Sequence, residues 1–169
     1  MAIIKRLVLR NFKRFKTLEL EFDPELNILV GGNEAGKSSV LQALDIVLSA
    51  SRSKVEALGL ETLFNAECVA EFLDGERKIA DLPEILVEVY LDGIEGHHEL
   101  DGRNNTKGAD YLGIKMVCKP VDDYTKEIQT LLAEKHESFP FEYYGVQFLT
   151  FTDEAIFPFR KPIKHLLID

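Results

Sequence analysis

The stretch Gly31-Gly32-Asn33-Glu34-Ala35-Gly36-Lys37-Ser38-Ser39 matches the pattern G-x-x-x-x-G-K-[ST] of a phosphate-binding loop. Glycines let the backbone wrap closely around a phosphate, because a Cβ would penalise the conformations that this requires. The successive backbone N–H groups then form an anion-binding nest at the N-terminus of a helix. We therefore expect Lys37 to reach the β- and γ-phosphates of a nucleotide and the Ser38 hydroxyl to bind Mg2+.

The segments on either side of the loop favour this interpretation over a simple glycine-rich turn. Residues 26–30 form a short, mostly apolar run that predicts a strand buried on both faces. After the loop, apolar residues recur at helical spacing and predict a helix that ends near residues 51–53. A phosphate-binding loop requires this order of strand, loop and helix.

The rest of the chain alternates between strand-like and helix-like patterns. The first half is predicted to contain a strand at about 2–10, a half-buried antiparallel strand carrying Leu18, Leu20 and Phe22, and one helix at about 61–73. A half-buried strand at 85–91, with Glu84, Glu88 and Asp92 facing outward, leads into a long surface loop at 93–110 and a strand at 112–118 that Pro120 stops. A helix carrying Ile128 and Leu132, capped by Asp122 or Asp123, is followed by strands at 143–151 and 163–168.

Composition suits one globular domain of 169 residues, of which 46% are hydrophobic and 29% charged. No stretch is long and apolar enough to span a membrane. The cysteines, Cys68 and Cys118, lack metal-ligand spacing and fall on apolar faces, so we interpret them as reduced core residues of a cytosolic protein.

Charge is unevenly distributed along the chain. The formal net charge of −9 argues against non-specific binding to nucleic acid. However, basic residues are concentrated in residues 1–16. They form either a solvated rim on the first strands or a positive edge near nucleotide phosphates or DNA, and the sequence leaves both interpretations open.

The groups that would activate water are not evident. Hydrolysis needs a second carboxylate after an apolar strand. Asp92 and Asp169 follow such runs, but each is better explained by an ordinary strand end. Neither an L-S-G-G-Q-like signature nor an N-K-x-D motif is present. We therefore expect a nucleotide-binding amino-terminal part of a longer ATPase, inactive in hydrolysis by itself.

The residues at 11–15, the loop at 31–39 and the segment 41–44 resemble the amino-terminal lobe of ABC-type ATPases of the SMC, RecF and RecN class. Within that class the chain is most similar to the overcoming-lysogenization-defect (OLD) family of ATP-dependent nucleases, through residues 82–89 and 161–169. The resemblance implies an α/β fold, the P-loop ABC-type ATPase head, whose amino-terminal lobe has a mixed sheet, an antiparallel β subdomain and flanking helices. Residues 1–169 would form one lobe, with the phosphate-loop core at roughly 1–60 and a region of helices and antiparallel strands at 61–169.

The resemblance also implies cofactors, partners and site residues. It implies ATP and Mg2+ as cofactors and a homodimer of ATPase heads. It also implies that the full-length protein has a Toprim nuclease domain after the head, binds DNA, and acts in DNA repair or in defence against phage. Carried over by position, the nucleotide contacts fall on Gly31, Asn33, Glu34, Ala35, Gly36, Lys37, Ser38 and Ser39 and on Lys13 or Arg14, with Ser38 as the metal ligand. Many relatives have Arg at position 13, and Lys there loses the bidentate fork of a guanidinium.

Gln147 is a candidate for the glutamine that contacts Mg2+ and the attacking water in related heads. Its place in an alternating strand pattern is better explained by an outward-facing polar residue. Two other functions stay open: a self-contained small kinase with Asp92 as the metal-binding carboxylate, and an interaction module gated by nucleotide without hydrolysis.

Overall fold

The structure is a computed structural model that describes residues 3–94, 96, 98–134 and 138–157. The strand predicted at 163–168, the carboxylate of Asp169 and the segment 161–169 that carried part of the family resemblance lie outside the described residues. None of the described helices is long and apolar enough to cross a membrane.

Apart from the segment 26–30, which forms no strand, the described strands and helices follow the predicted order, with additional short elements. They are β1 (Ile3–Phe12), β2 (Phe15–Glu21), α1 (Lys37–Ser49), α2 (Arg52–Leu58), α3 (Leu60–Leu63), α4 (Ala66–Asp74), β3 (Ile85–Asp92), β4 (Asp101–Gly102), β5 (Tyr111–Pro120), α5 (Thr125–Ala133) and β6 (Tyr144–Thr150). Within the long loop predicted at 93–110, His98–Leu100 forms a 3-10 turn.

The six strands form one sheet in which every pairing among the described residues is antiparallel. Its order is β2-β1-β3-β5-β4, and β6 also pairs with β5. The predicted antiparallel region is thereby confirmed. Because β1 pairs with β3, the sheet joins the regions 1–60 and 61–169.

The main core lies on one face of this sheet. Alternate side chains of a strand point to the same side, so every second residue of a strand can contribute to that core. Apolar residues of β1, β3 and β5 on that face pack with the buried side of α1. The group includes Leu7, Leu9, Val87, Val89, Ile114, Met116, Val40, Ala43 and Val47. Cys118 is buried in this core as predicted, whereas Cys68 is half-buried on α4.

The prediction of a buried strand at residues 26–30 is wrong for the described structure. This segment has no strand pairing, and Leu26, Ile28 and Val30 are 72%, 73% and 85% exposed. A strand needs partners for its backbone N–H and C=O groups, and one buried on both faces needs a sheet around it. None of the described strands pairs with the segment, although Leu29 packs against the core.

Two predictions about helices are also wrong in detail. The single helix predicted at 61–73 is divided into α3 and α4, because Phe64 has an extended backbone and Asn65 caps α4 by accepting from the Cys68 N–H at 3.0 Å. The helix α5 forms as predicted, but neither Asp122 nor Asp123 caps it, since both lie in a preceding 3-10 turn.

Glu88 does not face solvent as predicted, and is only 1% exposed. Its carboxylate accepts hydrogen bonds from the Thr106 N–H at 2.9 Å, the Thr106 hydroxyl at 2.7 Å and the Tyr90 hydroxyl at 2.8 Å. Burial raises the pKa of Tyr90 to about 12. The segment 104–109 therefore covers the outer face of β3 and satisfies a buried carboxylate.

Candidate functional site

The phosphate-binding loop leads directly into α1, as the motif predicts. Gly36 precedes the helix with φ of +89°, a left-handed conformation that favours glycine. The Ala35 N–H donates to the Gly32 carbonyl at 3.0 Å and tightens the loop. Residues 31–35 are exposed, so their backbone is accessible to a ligand at the N-terminus of a helix.

Lys37 lies across the loop that precedes it. Its Nζ donates to the Gly31 carbonyl at 2.6 Å and to the Gly32 carbonyl at 2.7 Å. The ammonium group is thus held at the mouth of the loop, where a phosphate oxygen can accept from it. A lysine ammonium can act as a point charge on a phosphate.

The side chains around the loop could bind Mg2+ only together with the phosphates of a nucleotide. Ser38 is exposed at the start of α1, next to Lys37. Among the described residues no group of three or more His, Cys, Asp or Glu could hold a metal ion. Mg2+ readily keeps several waters and binds through few protein ligands together with substrate phosphates. Ser38 would hold such an ion with phosphate oxygens, and the ion would then neutralise phosphate charge.

The structure brings the turn between β1 and β2 against this loop. A Cβ built on Gly36 would overlap the ring of Phe15 and lie 2.7 Å from Cδ of Arg14. The stem of Arg14 therefore borders the loop. Lys13 belongs to the same turn, with φ of +51°.

Sequence reasoning missed two asparagines that hold this turn. Asn65, 4% exposed, donates from Nδ2 to the Lys13 carbonyl at 2.7 Å. Asn11 donates from its own Nδ2 to the Glu84 carbonyl at 2.8 Å. An asparagine before an apolar helical run is a helix-start signal, and it could have identified Asn65 as a cap. Its contact with Lys13 joins residues far apart in the chain, which no local pattern reveals.

Gln147 is exposed on β6 and lines a groove with Arg52 and Glu56 of α2, a groove to which residues 31–39 do not contribute. The strand registers place Gln147 in one row with Arg10, three strand spacings or about 14 Å apart. It therefore lies towards the same end of the sheet as the basic turn, without contacting the loop.

Asp92 is far from the phosphate-binding loop. It pairs with Ile3 at the start of β1, whereas the loop contacts the turn that follows Phe12 at the other end. These ends of β1 are about 30 Å apart at the usual rise per residue of a strand. The Lys5 ammonium, 3.0 Å away, lowers the pKa of Asp92. The carboxylate thus forms a surface ion pair, in a position that does not suit a metal ligand for this loop.

These features define a class of protein. A complete phosphate-binding loop begins a helix that packs on a sheet, and a basic turn closes over the glycine at the start of that helix. The loop, the helix and the sheet are those of a P-loop ATPase domain with an α/β fold, although none of the described strands forms at residues 26–30 before the loop.

The chain belongs to the AAA ATPase domain family, whose model matches residues 2–143. Its relatives place it in the SMC- and RecF-like class of ABC-type ATPases. The DNA replication and repair protein RecF of Synechococcus sp. (strain JA-2-3B'a(2-13)) is 28% identical over 110 residues, which cover 65% of this chain and 28% of that protein. RecF of Listeria welshimeri is 40% identical over 50 residues, or 30% of this chain and 13% of that protein.

The structural maintenance of chromosomes protein 6 of Saccharomyces cerevisiae is 45% identical over 132 residues, which cover 76% of this chain and 11% of that protein. The chain thus spans less than a third of each of these relatives. A structure from work on ATP-driven dimerization and DNA-stimulated activation of SMC ATPases matches 79% of both chains, at 20% identity and a TM-score of 0.41. The assignment of the chain to the AAA ATPase domain family rests on the family model that matches residues 2–143.

Proposed function

We propose that this chain binds ATP with Mg2+ as the amino-terminal part of an ABC-type ATPase head, which in the full-length protein couples ATP binding and hydrolysis to DNA processing in the cytoplasm. The observation that carries the proposal is the position of Lys37 across the carbonyl groups of Gly31 and Gly32 at the N-terminus of α1. A lysine held there, among accessible backbone N–H groups, suits the β- and γ-phosphates of a nucleotide.

The exposed apolar segment at 26–30 supports the proposal that the complete head has more strands. Leu26, Ile28 and Val30 are highly exposed, and large exposed apolar groups usually mark a surface that another element covers. In this proposal the rest of the full-length protein supplies the neighbouring strands, the second carboxylate and the signature motif. The isolated chain would then bind ATP without turning it over.

The finer proposal is an OLD-like nuclease. It rests on the resemblance of residues 82–89 and 161–169 to that family. Homodimerisation of the heads, a Toprim nuclease domain, and a role in DNA repair or in defence against phage belong to this proposal. The RecF relatives, described as DNA replication and repair proteins, support the link to DNA.

The test is calorimetric titration of the full chain with ATP–Mg2+. We expect saturable binding that Lys37→Ala abolishes, because the substitution removes the charge at the mouth of the loop. Lys126→Ala is the matched control, since it removes the same charge from the exposed side of α5. Unchanged affinity in Lys37→Ala would contradict the site assignment.

Phosphate release separates this proposal from a self-contained kinase or ATPase. We expect no release above background from the chain alone. Robust release that is lost in Asp92→Asn would favour the kinase, although Asp92 and the turn that contacts the loop lie at opposite ends of β1. If ATP instead changes the oligomeric state in light scattering while no product accumulates, the chain acts as a nucleotide-gated interaction module.

A further inference from the structure

We propose that Asn65 is a positioning residue for nucleotide binding, which locks the basic turn between β1 and β2 (Lys13 and Arg14) against the phosphate-binding loop. This inference rests on the proposed function, because the effect that it predicts is on ATP binding. Asn65 acts indirectly, because its contact with the Lys13 backbone holds the turn and so fixes the Arg14 side chain beside the loop.

Asn65 joins the turn and α4 through separate atoms. Its Oδ1 accepts from the Cys68 N–H at 3.0 Å and caps α4. Its Nδ2 donates to the Lys13 carbonyl at 2.7 Å. Its backbone N–H donates to the Asn11 carbonyl at 2.9 Å. Capping requires only an acceptor, so the Nδ2 contact is an additional function that serine or aspartate cannot supply from this position.

The turn needs such a contact because its backbone is unusual. Asn11 and Lys13 have φ of +53° and +51°, a region that residues other than glycine seldom occupy. The conformation persists only where the surroundings fix it. The Lys13 N–H also donates to the Leu63 carbonyl at 2.7 Å, so the residues that precede α4 hold Lys13 on both sides.

The turn between β1 and β2 fixes the side chains of Arg14 and Phe15 beside the phosphate-binding loop. Arg14 follows Lys13 directly, and its Cδ would lie 2.7 Å from a Cβ on Gly36. Phe15 pairs with Phe12 across the turn, and its ring lies against the same glycine. Release of the Lys13 carbonyl would therefore let the Arg14 side chain move away from the phosphates, while the loop sequence stays intact.

The substitution Asn65→Ser separates the two roles of the side chain. Serine keeps a capping oxygen but has no group that reaches the Lys13 carbonyl. We expect ATP to bind about threefold to tenfold more weakly, the effect of one lost hydrogen bond. Asn104→Ser, an identical change at an exposed residue of the segment 104–109, should leave ATP affinity unchanged. If Asn65→Ser fails to fold, Asn65→Asp makes the same test, because aspartate also caps and also lacks the donor.

A double-mutant cycle with Arg14→Ala tests the route of the effect. If Asn65 acts through Arg14, Asn65→Ser should weaken ATP binding in the wild type and have little further effect in Arg14→Ala. Wild-type affinity in Asn65→Ser, or an equal loss in both backgrounds, would overturn the inference.

Hydrogen exchange without nucleotide distinguishes failure of this inference from failure of the proposed function. The Lys13 amide should exchange faster in Asn65→Ser than in the wild type, because its turn has lost an anchor. Unchanged exchange at Lys13 would overturn the positioning role whether or not the chain binds ATP. Absence of ATP binding in the wild type, with faster exchange at Lys13 in the variant, would instead contradict the proposed function and leave the anchoring of the turn supported.

Discussion

The ring of Phe15 lies against Gly36 so closely that residue 36 has no room for a Cβ. Gly36 also has φ of +89°, a conformation that L side chains rarely adopt. The contact joins the turn between β1 and β2 to the start of α1. Loop and turn therefore fit together only because residue 36 is a glycine.

The substitution Gly36→Ala should destabilise the protein. The added methyl group would meet the Phe15 ring and the Arg14 stem, and the backbone would be strained. We expect a loss of about 1–3 kcal/mol in the free energy of unfolding, measured by urea denaturation.

The neighbouring glycine provides the control for this experiment. A Cβ on Gly32 would meet no atom within 4 Å, and Gly32 is not among the glycines with positive φ. Gly32→Ala should change the free energy of unfolding by less than about 0.5 kcal/mol. An equal change in the free energy of unfolding for the two substitutions would contradict the close contact of Phe15 with Gly36.

The Glu88 carboxylate should hold the segment 104–109 on the sheet. In Glu88→Gln an amide NH2 group would face the donors of Thr106 and Tyr90. We expect a loss of about 1–3 kcal/mol in the free energy of unfolding, together with faster proteolysis within 104–109. Glu84→Gln makes the same change at an exposed side chain and should leave both quantities near their wild-type values. Resistance to proteolysis equal to that of the wild type would contradict this role of Glu88.

The Cys118 thiol should make stability depend on pH in the alkaline range. Burial raises its pKa from 9.0 to about 12. Above about pH 9 the unfolded chain releases this proton while the folded chain keeps it, so the unfolded state binds fewer protons and stability falls as pH rises. The stabilisation is complete below the unfolded pKa and is lost as pH rises towards the folded one.

Urea denaturation between about pH 8 and pH 10 measures this dependence. Cys118→Ala removes the titrating group, so its free energy of unfolding should fall less steeply with pH than that of the wild type, by about 1 kcal/mol per pH unit above pH 9. Only the slopes are compared, since the substitution also removes buried volume. Identical slopes would show that Cys118 ionises equally easily in both states.

The sequence predicted those parts of the fold that local patterns determine. The alternation of Leu18 and Leu20 with charged residues indicated β2, and the helical spacing after Lys37 indicated α1. The phosphate-binding motif identified the loop because its chemistry resides in consecutive residues.

Predictions failed where contacts between distant segments decide the structure. The run at 26–30 is apolar enough for a buried strand, but no described strand pairs with it. Glu88 looked outward-facing because its strand alternates, yet the Thr106 segment covers it. The apolar spacing predicted one continuous helix, whereas Asn65 begins a second one. Its contact with Lys13 joins residues that are 52 positions apart in the chain.

Amide hydrogen exchange of residues 31–39, with and without ATP–Mg2+, tests most directly whether this loop is the phosphate-binding site. We predict that saturating nucleotide slows exchange in the loop and in the first turn of α1, because backbone N–H groups there would donate to phosphate oxygens. The protection should disappear in Lys37→Ala. Unchanged exchange at residues 31–39, or protection only elsewhere in the chain, would contradict the assignment.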